Sequence, residues 1–407
     1  MQKVTHALQV KQHFASLYGK ATINQIKRYN KLIANFKKQF GQRECYLASS
    51  SGRVEIVGNH TDHNGGLVVG CTVSLDIASA FLPNQTGKVT IISNGYKPIK
   101  FSVEDIDNTE SGSTAMAKGV LKGLANRGYK IGGFDAVINS ILPSGAGISS
   151  SASFQLLVAT IQNHLYNDGQ IPAPVLAEVG QFAENVYFKK PCGLLDQGVI
   201  AVGGVVAMDF AKGFSFQSVP CNFQGYNLVL VNTGGSHSNL TSHYSAIPAE
   251  MKAVANCFGK QRLIEVDEQE FFLQQQSLQQ KLGLRPVLRA KHFFQENKRV
   301  QAVQQALSCG NMQQFVDVVN DSGNSSLHQL QNCSVGTGDT VIADAIAFAK
   351  SICPTCASRV HGGGFAGTIL NVVPKQHVAN FVENMANRYG KDNVFVLNVR
   401  TVGATVL

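Results

Sequence analysis

The clearest chemistry in the chain lies in residues 143–153, Pro-Ser-Gly-Ala-Gly-Ile-Ser-Ser-Ser-Ala-Ser. Gly145 and Gly147 let the backbone turn tightly and approach a ligand. Ser149, Ser150 and Ser151 supply hydroxyls where a strongly apolar helical pattern begins, with Phe154, Leu157, Val158, Ile161 and Leu165 on one face. A helix start with free N–H groups is a ready anion site. A plain Ser cap needs one hydroxyl. Two glycines and three serines in a row predict a phosphate cradle of Gly145, Ala146, Gly147, Ser149, Ser150 and Ser151. The segment is neither a G-x-x-x-x-G-K-[ST] loop nor a G-x-S-x-G elbow.

A second polar cluster is Gly52–Gly66, with Arg53, His60, Asp62 and His63. His60, Asp62 and His63 are of types that bind metals, but no further ligand set stands out. Paired donors and acceptors at fixed spacing suit the hydroxyls of a sugar. A third feature, Gly362–Gly367, literally matches G-x-G-x-x-G. A dinucleotide loop opens a helix, whereas Thr368–Val373 reads as a strand ending at Pro374. Close backbone approach, to a ligand or to the first loop, is the better expectation. Cys353 and Cys356 form a lone C-x-x-C at the end of a helix, and with no second pair they read as ordinary thiols.

The elements that must position these groups alternate. Residues 1–42 read as polar and helical, and short β-runs follow at Val54–Val57, Leu67–Phe81 and Val89–Ile92. Thr114–Asn126 is a helix, Phe134–Leu142 a strand, and Val175–Tyr187 a helix. Val199–Phe210 and Leu228–Asn232 read as strands. Residues 247–331 are mostly helical. Thr340–Ile352 (helix), Gly367–Val373 (strand), His377–Tyr389 (helix) and Val394–Val399 (strand) complete an α+β pattern.

The chain has 407 residues, 44% hydrophobic and 15% charged, enough for two domains with a real core. A division into 1–215 and 216–407 follows from the change to a helix-rich half. The net charge of +9 favours anionic partners, but the Lys and Arg are dispersed. No basic stripe or nucleic-acid motif occurs, which argues against nucleic acid and for a small polyanion. No apolar run reaches the roughly 20 residues that span a bilayer, and the N-terminus has no signal-peptide core. Nine scattered cysteines suggest reduced thiols. A cytoplasmic monomer without a membrane partner is the expectation.

The three segments together resemble the motifs of the GHMP small-molecule kinases, and of the galactokinase family in particular. Residues 52–66 resemble G-R-x-N-x-I-G-E-H-T-D-Y-N-x-G, residues 143–153 resemble P-x-G-A-G-L-S-S-S-A-S, and Ser358–Thr368 resembles S-R-M-T-G-G-G-F-G-G-C. Ala183-Glu184, the segment Pro191–Gln197, His237 with Tyr244, and Arg289–His292 continue the similarity in order. The resemblance implies a GHMP kinase fold, with a ribosomal-protein-S5-like N-terminal domain and a ferredoxin-like C-terminal domain. It also implies transfer of phosphate from ATP to the anomeric hydroxyl of a galactose-type sugar.

By the same resemblance, Asp196 would accept the sugar proton and Arg53 would pair with Asp196 and steady the transferred phosphoryl group. Ser151 and Glu184 would hold Mg²⁺, and the residues of the Gly145–Ser151 loop would hold ATP. Asn59, His60, Asp62, Tyr244 and Gly193 would face the sugar, with Gly364 close by. The chain departs from the pattern at Glu55 (Asn in the signature), Asn59 (Glu), His63 (Tyr) and Val360-His361 (Met-Thr). Asn59 matters most, since the family's Glu binds a hydroxyl at the C6 end. A related sugar (N-acetylgalactosamine, arabinose or a uronic acid) and a non-catalytic sugar- and ATP-sensing regulator stay open. The complete serine run of the phosphate loop speaks against the regulator.

Overall fold

The computed structural model describes residues 2–407 except 20–22, 42–43, 109, 144, 191, 222, 235–239, 337 and 366. Twelve strands are present among the described residues: β1 (Tyr46–Val57), β2 (Leu67–Pro83), β3 (Lys88–Ser93), β4 (Ile99–Ser102), β5 (Phe134–Ser140), β6 (Val205–Asp209), β7 (Ser215–Val219), β8 (Tyr226–Asn232), β9 (Ala357–Val360), β10 (Thr368–Pro374), β11 (Val394–Leu397) and β12 (Thr405–Val406). They form two sheets. The larger runs β12-β1-β2-β5-β3-β4, with β6 and β7 branching from β2; the smaller runs β11-β8-β10-β9. All pairs are antiparallel except β3 with β5.

The helix Ser150–Tyr166 buries an almost continuous run from Ala152 to Asn163 and packs against β1 and β2. This is the apolar stripe expected from its spacing, widened because other helices cover its outer side. The 25-residue helix Leu284–Ser308 touches β1 and β2 as well as the helices Thr241–Cys257 and Met312–Ser325. It therefore ties the helix-rich half to the larger sheet. β12 returns to pair with β1, so the chain end also lies on that sheet.

The polar N-terminal helix Ile23–Phe40 buries Tyr29, Leu32, Ile33 and Phe36 against Ala78, Ala80 and Val137 of the sheet. Its Arg28 pairs with the fully buried Asp76 at 2.6 Å, and Tyr18 donates to the same carboxylate at 2.6 Å. A buried carboxylate must be paired in this way, because leaving a charge unpaired inside costs about 3–5 kcal/mol.

The strands β4, β7 and β9 carry no expectation from the sequence, and one element that does changes type. Val199–Phe210 reads as one strand, but Leu195–Val202 is a helix and only Val205–Asp209 is strand. Gly203 and Gly204, both at positive φ, separate the two. The β-branched residues before the break pack Val199 against Gly70 of β2, and tertiary burial overrides their strand preference. As a proposal, the division at residue 215 follows the two sheets, apart from β7 and β12, which lie on the first. Among the described residues no helix is long and apolar enough to cross a membrane.

Candidate active site

The site begins with an irregularity in β1. Its ladder with β2 slips between Ser51 and Arg53, and again between Glu55 and Val57. Such bulges bend a strand and re-aim its side chains. Gly52 sits in the first slip, where a Cβ would lie 2.8 Å from Leu142 Cδ2 and 2.9 Å from the Ile148 carbonyl. Only glycine lets the phosphate loop lie this close to β1. The Arg53 amide bonds the Ile148 carbonyl at 3.3 Å.

Arg53, 6% exposed, is the hinge of the arrangement. Its Nη1 donates to the Gly147 carbonyl at 2.6 Å. Its Nε and Nη2 reach Asp196 Oδ1 at 2.8 and 2.7 Å. The other carboxylate oxygen accepts from Ser149 Oγ. Ser149 has φ 60°, a left-handed conformation costly for a side-chain-bearing residue. Asp196 lies in the first turn of Leu195–Val202, yet it makes no capping bond there. Its bonds go instead to the arginine and the phosphate loop. The Asp196 side chain is 34% exposed against 7% for Arg53, so the carboxylate opens toward solvent.

Glu184 stands in a π-helical turn, Ala183–Tyr187, of the kind often found at functional positions. It is 2% exposed. Ser151 Oγ donates to it at 3.3 Å, Gln155 Nε2 donates to its other oxygen, and Lys190 Nζ lies 3.8 Å away. Burial pushes its carboxyl up, while Lys190, Gln155 and Ser151 pull the other way. Among the described residues no group of three or more His, Cys, Asp or Glu converges as metal ligands. Ser151 and Glu184 are a two-oxygen set beside the phosphate loop, which fits a hard cation that fills its other positions with phosphate and water.

The phosphate-loop residues divide by exposure. Gly145, Gly147 and Ser150 are exposed, Ser149 and Ser151 are half-buried, and the Ala146 side chain is in the core. Any role for Ala146 therefore falls to its backbone.

His60 has φ 57°, and its Nε2 lies 2.9 Å from the Gly363 carbonyl. The Asp62 carboxylate presses on Gly193, so closely that no Cβ would fit there. Tyr244 donates to the Gly364 carbonyl at 3.0 Å, and its ring lies where a Gly363 Cβ would be. Gly364 itself is crowded by Asn332, so its close approach is to protein. His237 lies outside the described residues. Asn59 is 1% exposed and withdrawn from the open face.

Several residues here carry no sequence signal of their own. Gln155, fully buried, links Glu184 to Gln197. It stands one turn after Ser151, and a Gln among apolar core positions is the hint that was available. Glu55, Arg359, Asn332 and His292 form a buried network around Asn59. His361, 3% exposed, lies with its Cδ2 3.6 Å from where a Gly147 Cβ would be. Burial, then Arg53 and Arg359, hold its imidazole well below the usual range and therefore neutral.

Comparison with known proteins bears on the whole arrangement. Residues 34–83 match the model described as the galactokinase galactose-binding signature, and residues 115–204 match the GHMP kinases N terminal domain. The chain is 30% identical to a galactokinase of Clostridium tetani over 373 residues, 89% of this chain and 92% of that one. It is also 30% identical to a galactokinase of Enterococcus faecalis, over 88% of this chain and 93% of that one. The fold is similar to Lactococcus lactis galactokinase complexed with galactose, with TM-score 0.78, 24% identity, and 98% and 99% of the two chains covered. Methanococcus jannaschii mevalonate kinase is similar at TM-score 0.62 and 13% identity, over 87% of this chain and 98% of that one.

Proposed function

The chain belongs to the galactokinase family of GHMP kinases, and from that premise we propose that its site phosphorylates galactose at the anomeric hydroxyl with ATP. The observation that carries the reading is the convergence of Arg53, Ser149 and the Gly147 carbonyl on or beside Asp196. One carboxylate thereby joins the phosphate loop to the sugar-signature strand.

This geometry supports the following roles. The N–H groups of Gly145–Ser151 lie at the start of Ser150–Tyr166 and receive the ATP phosphates. Asp196 takes the proton of the anomeric hydroxyl, its Oδ2 turning from Ser149 to the sugar. In a loose phosphoryl transfer this deprotonation comes late, so holding the hydroxyl in line counts for more than basicity. Arg53 fixes that carboxylate and offsets charge that develops on the transferred group. His60, Asp62 and Tyr244 orient the sugar, with Gly193 giving Asp62 its room.

Ser151 and Glu184 would hold Mg²⁺. When bound it neutralises phosphate charge. A cytoplasmic, monomeric enzyme acting on a small sugar and ATP is part of the same proposal, and nine free cysteines support the reducing compartment. The related-sugar and regulator readings are not favoured.

ADP release measured across galactose, N-acetylgalactosamine, arabinose and galacturonate tests the reading. Galactose should give the highest kcat/KM. A clear preference for another sugar would refute it, and so would ADP release with none.

A further inference from the structure

We infer that Asn59 is a positioning residue, exchanged in type with Glu55, that latches the sugar-signature loop to the glycine loop at Gly362–Gly364; the functional part of this rests on the galactokinase reading. Its amide has no capacity left for a ligand. Nδ2 donates to Glu55 Oε1 at 2.8 Å and to the Gly362 carbonyl at 2.7 Å. Oδ1 accepts from Asn332 Nδ2 at 2.7 Å and from Ser326 Oγ at 3.4 Å. Its backbone carbonyl meets His292 Nε2 at 2.9 Å. A carboxylate and a carbonyl can only accept, so the groups facing Nδ2 require a donor. A carboxylate at position 59 would face both with acceptors alone.

Glu55 is the partner in this exchange. It is 6% exposed, and Arg359 Nη2 lies 3.4 Å from the same Oε1 that Asn59 bonds. The signature resembled by residues 52–66 has Asn and Glu at these positions in the opposite order. The pair is kept, with amide and carboxylate exchanged. The acidic side chain thus lies beneath the loop beside Arg359 rather than at its tip.

The latch holds what lies next to it. His60 follows Asn59 directly, has a left-handed backbone and bonds Gly363. Asn59 bonds the neighbouring Gly362 carbonyl, so the two loops are pinned at adjacent residues. Ser326 opens the second π-helical turn, Ser326–Leu330, and extends the latch into the helix-rich half. Sugar discrimination then falls to His60, Asp62 and Tyr244, with Asn59 setting their register.

The test compares the full-length chain with Asn59→Asp, Glu55→Gln and the double variant, using ATP with galactose or 6-deoxygalactose. These changes are nearly isosteric. Asn59→Asp sets two carboxylates face to face and should raise the galactose KM at least about tenfold, with the ATP KM within about twofold. Adding Glu55→Gln restores a donor between the two side chains, though not toward the Gly362 carbonyl, and should lower the galactose KM at least about threefold from that of Asn59→Asp. The kcat/KM ratio of the two sugars should stay within about twofold in all four forms. Thermal midpoints read the pairing without catalysis, and the double variant should lie above Asn59→Asp. If Asn59→Asp does not fold, a folded double variant is the rescue, and an unfolded one overturns the latch. A double variant no better than Asn59→Asp in KM and midpoint overturns it. So does a change of about tenfold or more in the sugar ratio, which marks a direct ligand. A parent chain that turns over neither sugar refutes the galactokinase reading alone, since the midpoints still report the latch.

Discussion

Arg53 and Asp196 meet through a single carboxylate oxygen, Oδ1, which takes both Nε and Nη2 at 2.8 and 2.7 Å. The guanidinium's remaining nitrogen is spent on the Gly147 carbonyl. One planar fork therefore sets the distance between the carboxylate and the phosphate loop. Lysine, a single-point donor, cannot reproduce it. Arg53→Lys should lower kcat by about 10²–10³, with a smaller change in either KM. Steady-state kinetics at saturating ATP and galactose check this.

Glu184 is the buried partner of Ser151. Glu184→Gln keeps the shape and removes the charge. The Mg²⁺ concentration giving half-maximal rate should rise at least about tenfold, while the galactose KM stays within about twofold. A titration of rate against Mg²⁺ at fixed ATP reads this directly.

Gly193 has no room for a Cβ because the Asp62 carboxylate occupies the place. Gly193→Ala should push Asp62 out of register and raise the galactose KM by about tenfold or more, leaving ATP affinity intact. Equal losses for both substrates would contradict the assignment of Asp62 to the sugar.

His292 is fully buried, and burial lowers it to about 4 from its ordinary 6.5. Below 6.5 the unfolded chain binds a proton that the folded chain refuses. Stability from this group is complete above 6.5 and is lost as pH falls toward 4, by at most about 1.4 kcal/mol per pH unit. Glu55 acts oppositely. Burial raises it to about 7, so its contribution falls as pH rises from the ordinary carboxylate range to 7. His292→Gln keeps a donor for the Asn59 carbonyl and cannot be charged. Thermal midpoints between pH 7 and 4.5 should fall less steeply in this variant than in the parent.

The chemistry-bearing loops are legible in the sequence because their residue types are unusual for a plain turn. Gly145 and Gly147 both take positive φ, and the strand, loop and helix around them follow from periodicity. What surrounds Asn59 is not legible. Its partners Glu55, Ser326, Asn332 and Gly362 lie up to hundreds of residues apart. Position 59 in a polar loop reads as exposed until the packing of Leu284–Ser308 and the third glycine loop buries it. The helix Leu195–Val202 is hidden for a related reason. Its Val and Ile residues favour strands, and its packing against Ala173–Phe182, Ser150–Tyr166, β1 and β2 reverses the preference. The bulge at Gly52 leaves no mark beyond the glycine itself.

On the proposed function, Asp196 handles the sugar proton at a site that binds ATP independently of it. Asp196→Asn, measured for galactose 1-phosphate formation and for ATP affinity in the same preparation, tests it most directly. Turnover should fall by about 10³ or more while the ATP dissociation constant stays within about threefold. Turnover within about tenfold of the parent chain, with ATP bound normally, would contradict it.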